Sequence, residues 1–428
     1  MPDITELFDS GKKLIIAVCA VIAVFIAGVF GLRVYRNVTA DKTPVVSISA
    51  TDDKVYAAAD EIQPTDFAIT AKHKDGGTTS YTGDSTIKLS RKHVPNHGKY
   101  ATVKLTTKDG LTCTTKVKCK RDKIISFNCA KYKKDNVKAT LYSNGELAFE
   151  GSGEIAGFSD NSGPWNGDYD SKDTNITSVT FGKNVRIVDG SKLFSGRDQL
   201  TYVGKLPATL VSANEMFSGC VALKKAPDMS GCAVLKDMTS AFSGCTALTD
   251  AGTIPSSVIT TAQAFNGCTA ITKAASFEAG SQDTDVTSMY QGCTALTDPG
   301  RVPSKVNEMA SAYAGCINLS RMPNIPGSVS DMNNAFTGCR LLKKFTTIPS
   351  GVENISGCFN GCTYMSGTIR IDANAQEYDG LFAGAATATK VNLVGKSKRL
   401  HYYAFTSENP KRHIYVRGKA AVKPKDMM

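Results

Sequence analysis

The sequence predicts a multi-domain chain: an N-terminal transmembrane helix, an all-β sandwich, then an α/β solenoid of 23-residue repeats. Three observations carry this. Residues 14–32 run for nineteen positions without a charge. Residues 44–122 break into short β-rich runs separated by glycine turns. From Phe194 onward an aromatic returns every 23 or 25 residues, at Phe194, Phe217, Phe242, Phe265, Tyr290, Tyr313, Phe336, Phe359, Phe382 and Phe405.

The apolar run comes first. "LIIAVCAVIAVFIAGVFGL", residues 14–32, is long enough to cross the ~30 Å bilayer core as a helix. Lys12 and Lys13 precede it and Arg33 and Arg36 follow it, so local charge leaves orientation nearly balanced. The competing reading is a signal peptide cleaved near Val38-Thr39-Ala40. The length of the run and the two arginines after it favour an uncleaved signal anchor. This makes residues 1–13 a short head and residues 33–43 a linker.

In residues 44–122, "VVSISA", "FAITAKH", "STIKLS", "YATVKLTT" and "LTCTTKVKC" read as strands. Turns are expected at Asp75-Gly76-Gly77 and Asp109-Gly110. Such spacing predicts a β-sandwich. Cys113 and Cys119 lie six apart on one expected strand, ~20 Å when extended and beyond disulfide reach. Were either bridged, Cys129 would be the better partner. Residues 123–136 read as a linker.

The repeat array occupies residues 193–410. Its consensus is Phe/Tyr-x-Gly-Cys-x-x-Leu, then Ile/Val-Pro, Val, Met, and Ala before the next aromatic. The seven complete anchors pair Phe217, Phe242, Phe265, Tyr290, Tyr313, Phe336 and Phe359 with Cys220, Cys245, Cys268, Cys293, Cys316, Cys339 and Cys362. One unit cannot bury its own apolar face, whereas stacked units form continuous internal ladders. The Leu-centred stretch after Gly-Cys reads as a strand ended by proline. The Val-x-x-Met-x-x-Ala-Phe half, with spacings of three and four, reads as a short inward-facing helix.

The cysteine at a fixed slot reads as a small buried hydrophobe, reduced and shielded. Metal binding would want a Cys-x-x-Cys cluster, and the sequence has none. Cys358 falls in the small slot used by Ala241, Ala264, Ala312 and Ala335; Cys232 falls in a two-residue expansion and has no assigned role.

No catalytic set stands out. His93 and His97 have Pro95 between them, which breaks a helical metal pair. Asp168, Asp170 and Asp173 do not match a calcium-loop spacing. No phosphate loop, nucleophile elbow or zinc helix is found. No metal, cofactor or enzymatic activity is expected, and no specific nucleic acid. The net charge of +11 is uneven: residues 41–125 hold 15 basic and 10 acidic side chains, residues 126–389 hold 21 and 24, and residues 390–428 hold 10 and 2. The basic C-terminal end, with a tail over 411–428, could meet an anionic polymer.

Phe-x-Gly-Cys-x-x-Leu with a downstream Ile-Pro and Val at period 23 resembles the BspA-like leucine-rich repeat family. "LYSNGELAFEGSGEIAGF" and "GPW" resemble the segment capping such arrays, which assigns residues 137–192 as an N-terminal cap. "DEIQPTDFAITAKHKDG" resembles bacterial immunoglobulin-like domains. The resemblance implies a single-pass cell-membrane protein with a cytoplasmic N-terminus and an extracellular bulk. An immunoglobulin-like spacer would carry a solenoid that adheres to a host or neighbouring-cell protein or glycan. The alternative is a non-adhesive envelope or appendage scaffold, of a mobile element or virus. Which exposed residues would touch a ligand is unknown from sequence.

Overall fold

A computed structural model of the chain describes residues 44–95, 97–158, 163–166, 176–365, 367–373, 375, 379–384, 391–394, 414–416 and 419–420. The expected transmembrane segment, residues 14–32, lies outside the described residues. Among the described residues no helix is long and apolar enough to cross a membrane. The chain divides into two compact units at Asp122/Lys123.

The first unit contains two sheets. Strands β1 (Val45–Thr51), β3 (Ala68–His73) and β4 (Thr78–Thr82) form one, in the order β1-β3-β4. Strands β2 (Val55–Tyr56), β5 (Lys88–Leu89), β6 (Tyr100–Thr106) and β7 (Thr112–Cys119) form the other, in the order β2-β7-β6-β5. Period-two alternation drives this. β6 buries Ala101, Val103 and Leu105 and exposes the residues between them. Both sheets feed one core that joins Ile48, Ile69 and Ala71 to Val103, Leu105 and Val117. The β3–β4 hairpin turns at Gly76, whose φ of 90° suits glycine, and Asp75 Oδ1 accepts the Gly77 amide at 2.8 Å. Cys113 and Cys119 share β7, and both are free thiols, as is Cys129.

The second unit begins earlier than the sequence suggests. Residues 123–136, expected as a linker, open with β8 (Lys123–Asn128), which pairs antiparallel with β9 (Lys138–Tyr142). β9 pairs antiparallel with β10 (Glu146–Glu150). The topology then changes. β10 pairs in parallel with β12 (Ser178–Phe181), and β12 with β14 (Tyr202–Val203). A second parallel ladder starts with β11 (Ser152–Glu154) and β13 (Asn184–Arg186). β10 is therefore the template on which parallel repeats stack.

Beyond β14 the rungs shorten. Only β15 (Thr253–Ile254) and β16 (Ser276–Phe277) form a strand pair before the C-terminal sheet, and the other rungs are single parallel bridges. The Leu-centred strands expected in each repeat are reduced to these bridges, from Lys225–Asp250 to Arg321–Lys344. The C-terminal sheet is parallel through β17 (Gly367–Arg370), β18 (Val391–Val394) and β19 (Ile414–Val416), and β20 (Lys419–Ala420) folds back antiparallel. Stretches expected to be a free tail after residue 410 thus supply rungs.

The expected helix is not found among the described residues, and the repeats are of mostly β and turn character. Among the described residues, helical turns occur only as short 3-10 segments at Pro64–Asp66 and Pro164–Asn166. Two features exclude a helix from the Val-to-aromatic half. The residue two before each aromatic is left-handed: Lys192, Glu215, Ser240, Gln263, Ser288, Ser311 and Asn334 have φ of 50–57°, and Gly357 takes 62°. The aromatic amides also bond sideways. Phe217 donates to Ala241, Phe242 to Ala264, and Phe265 to Met289, at 2.8–3.0 Å. An amide committed to the next repeat cannot close a helical turn.

Glycine two residues after each aromatic supplies a second left-handed position. Gly244 has φ 73°, a left-handed backbone that favours glycine, and it stacks over Gly219 of the previous repeat. Its amide reaches the next repeat at Asn266 O, 2.7 Å away.

The aromatics form one internal column. Ring centroids from Phe194 to Phe382 follow one another at 5.4–5.9 Å with interplanar angles of 3–23°. Phe405 lies outside the described residues. At the cap, Phe149 meets Phe194 edge-on at 6.1 Å and Trp165 at 5.1 Å. Phe265 is fully buried between two rings. Phe265→Ala should therefore destabilise the second unit by ~3–5 kcal/mol. Denaturant unfolding checks this, and a loss below about 1 kcal/mol would be incompatible with a packed column.

Candidate functional surface

The cysteine column is structural chemistry. Each thiol donates to the backbone carbonyl of the aromatic one repeat earlier. Cys220 bonds Phe194 O at 3.2 Å, and Cys245, Cys268, Cys293, Cys316 and Cys339 bond the corresponding carbonyls at 3.1 Å. Cys362 bonds Phe336 O at 3.2 Å. All seven are fully buried. Burial pushes the thiols of Cys220, Cys316 and Cys362 up to about 12, and burial also raises Cys245, Cys268, Cys293 and Cys339. A neutral thiol that must remain a donor is neither nucleophile nor metal ligand.

Cys232, which the repeat spacing left without a role, sits ten residues before its aromatic, where other copies place Pro207, Pro255, Pro303, Pro326 and Pro349. Its carbonyl accepts the Leu235 amide at 3.1 Å, as Pro255 O accepts Val258 at 3.2 Å. It is an ordinary core slot filled by a different small side chain. Cys358 is likewise fully buried.

The exposed side chains of the repeats recur on and beside the parallel rungs. One column of parallel bridges runs unbroken through Asp189, Ser212, Asp237, Thr260, Asp285, Glu308, Asp331 and Asn354. Its side chains have local duties. Oδ1 of Asp189, Asp237, Asp285 and Asp331 accepts the amide two residues on, at 2.6–2.9 Å, which starts the turn into the left-handed residue. Glu308 is held above the usual carboxylate range by burial and by Asp331 and Asp285.

The residue just before each rung is freer. Val188, Val211, Lys236, Ile259, Thr284, Asn307 and Glu353 are exposed, and Ser330 is half-buried. The ring and thiol columns repeat almost one residue type, while this outer column changes at each step after Val211. Apolar members cluster toward the cap: Ile259 is 46% exposed, and Val188 and Val211 are 39% and 36%. On a second column, charge alternates along Lys225, Asp250, Lys273, Asp298 and Arg321. Lys225–Asp250 pair at 3.4 Å and Arg321–Asp298 at 2.6 Å. Exposed pairs of this kind contribute little to stability.

The stack has one polar fault. Asp283 occupies the slot of Val258, Val306, Val329 and Val352, and it is fully buried. Thr261 Oγ1 donates to its Oδ2 at 2.6 Å, and Oδ1 accepts the Asp285 amide at 3.2 Å. Burial pushes the Asp283 carboxyl up to about 6, outweighing the Thr261 hydrogen bond that lowers it. The neighbouring column tyrosines use their hydroxyls on backbone: the Ala275 amide donates to Tyr290 at 2.9 Å, and Tyr313 donates to Pro299 O at 3.0 Å.

Other candidates do not converge. His93 forms an isolated bridge with Glu61. Asp168, Asp170 and Asp173 lie outside the described residues. Among the described residues no three His, Cys, Asp or Glu side chains could hold a metal ion.

The chain matches the family model described as BspA type leucine rich repeat region, in six copies over residues 167–297 and 288–411, more than half its length. No curated protein matches. Similar solved structures include a leucine-rich repeat protein from Eubacterium ventriosum, at 18% identity and TM-score 0.38, covering 68% of this chain and 84% of that one. The pneumococcal vaccine antigen PcpA shares 15% identity at TM-score 0.36, covering 67% and 93%. The leucine-rich repeat protein of T. pallidum shares 15% at TM-score 0.18, covering 60% and 83%.

Two outcomes follow from these interiors. Alkylation of the folded protein with mass-spectrometric readout should leave Cys245, Cys268, Cys293, Cys316 and Cys339 unlabelled and unlinked, and rapid labelling or disulfide-linked peptides would contradict the thiol ladder. Asp283 binds its proton more tightly folded than unfolded. Its contribution to stability is thus fully present below pH ~4 and is lost as pH rises through about 6. The charged form then costs ~3 kcal/mol. Asp283→Asn should remove this step from the stability–pH profile, so parallel profiles for the two proteins would contradict it.

Proposed function

Because the chain belongs to the BspA-type leucine-rich repeat family, we propose that it is a surface protein that binds a protein or glycan on the outer rungs of its repeats. Residues 14–32 anchor it in the membrane, the immunoglobulin-like sandwich is the spacer, and the repeats form the displayed solenoid. The head remains cytoplasmic and everything after Arg36 lies outside. The observation that carries this reading is the contrast between columns. The ring and thiol columns are nearly uniform from repeat to repeat and the other interior slots of most repeats stay small or apolar, whereas the exposed column of Val211, Lys236, Ile259, Thr284 and Asn307 passes between apolar, charged and polar side chains. Uniform ladders hold a scaffold; a varied outer column on a stiff scaffold is what recognition needs.

The interior suits an oxidising exterior. Thiols that are buried and hydrogen-bonded resist oxidation where exposed ones would not. No catalytic role enters the proposal. The stack offers a surface, and binding energy would come from the exposed aliphatic members flanked by polar ones.

Val211→Glu with Ile259→Glu should abolish adhesion of cells bearing the protein to host or neighbouring cells, leaving thermal unfolding within about 2 °C of the parent. Unchanged adhesion would point to a non-adhesive envelope scaffold. On intact cells an antibody should reach a tag at Met428 and not one at Met1. Recognition of Met1 alone would overturn the surface reading.

A further inference from the structure

One sheet of the N-terminal unit carries a charge pattern its core does not require. In β6 the even-numbered residues face outward, and in β7 Lys116 and Lys118 face outward beside buried Val117 and Cys119. The register sets Tyr100 opposite Lys118, and Lys104 opposite Thr114. β5 adds Lys88 opposite Thr106, and β2 adds Val55 beside Lys118. Paired residues share a face, so Lys88, Lys104, Lys116 and Lys118 project from the same side. No acidic residue occupies an outward position on these four strands. The other sheet differs in charge: Lys72 is its sole basic residue, although Val46 and Tyr81 stand 50% and 38% exposed on it.

Strands ~4.8 Å apart and alternate residues ~6.7 Å apart put the four ammonium groups within roughly two Debye lengths. Clustered like charges repel and gain nothing from the fold. Tyr100 and Val55 stand 50% and 49% exposed at the Lys118 end. An amphipathic ring and an aliphatic side chain beside lysines suit a boundary between hydrocarbon and charged headgroups.

We propose that this sheet face docks on an anionic phospholipid leaflet. The charge selects a negative partner, and the exposed Tyr100 and Val55 beside it select one with an apolar layer behind its charge. The proposal rests on the anchoring reading above. Twelve residues separate Leu32 from Val45, a tether of at most about 40 Å, so an anchored chain holds the sheet beside the bilayer. Docking then fixes the spacer against the membrane. Each lysine near an anionic surface adds about five-fold in partitioning.

The test uses the full chain with vesicles of phosphatidylcholine alone or rich in phosphatidylglycerol. Amine-reactive labelling of Lys88, Lys104, Lys116 and Lys118 is read by mass spectrometry, with Lys72 as the internal reference. The expected result is a chain bound to both vesicles, with labelling of the four lysines slowed at least about five-fold on phosphatidylglycerol only. High salt should restore labelling, and K104E with K116E should remove the protection. Binding to both vesicles with equal labelling overturns the docking face and leaves the anchor standing. Binding to phosphatidylglycerol alone, with the four lysines shielded, supports the face and overturns the anchor; binding to neither overturns both. If dissolved polyphosphate shields the lysines and the lipid does not, the partner is a soluble polyanion and the lipid proposal fails.

Discussion

The constraint on which the repeats depend is the sideways hydrogen bond at the aromatic amide. Each ring-bearing residue donates its N–H to the repeat that follows, as Phe242 does to Ala264 O at 2.8 Å. That commitment stacks backbone on backbone. It also places every ring over the last, 5.4–5.9 Å apart, in the offset arrangement that aromatic quadrupoles favour. The glycine two residues on repeats the move, and the left-handed backbone on either side of the ring bends the chain so that both donations are possible. The cysteine thiol then caps the carbonyl of the previous ring residue, which would otherwise be buried with less hydrogen bonding.

The two 25-residue steps show how much deviation this frame accepts. In the first, Cys232 takes the proline slot without altering the local hydrogen bond. In the second, the register stays in phase through Ile254–Phe277 and the two extra residues fall between Phe277 and Asp283, while the Ala275 amide just before them lies in the interior. Tyr290 replaces phenylalanine at that rung, and its hydroxyl accepts that amide. Asp283 and Thr261 fill an adjoining aliphatic slot and its neighbour as a hydrogen-bonded pair. A buried polar pair is tolerable when its members satisfy one another, but a carboxylate there makes this rung the pH-dependent one.

Much of this was legible in the sequence. The 23-residue step located the ring column and the thiol column, the Asp109-Gly110 turn located the β6–β7 hairpin, and Asp75-Gly76-Gly77 marked the end of β3. Local conformation was less legible. Spacings of three and four in Val-x-x-Met-x-x-Ala-Phe suggested a helix, because the left-handed residue is mostly Ser, Glu, Gln or Lys and gives no glycine signal. Strand β4 was missed because all five of its residues are exposed and polar. β8 was hidden in an apparent linker because its six residues, only one of them fully buried, make too short an apolar run. The varied outer column could not be read from spacing, since its exposure is known only once the uniform columns are seen to face inward.

The repeats of the second unit form a nearly one-dimensional stack in which a repeat feels its neighbours and little else. Double-mutant cycles on the ring column test this most directly. Phe265→Ala combined with Phe242→Ala should show a coupling of about 0.5–1.5 kcal/mol in denaturant unfolding. Phe265→Ala combined with Phe359→Ala should be additive within about 0.5 kcal/mol. Equal coupling for the adjacent and the distant pair would contradict a core built by nearest-neighbour stacking.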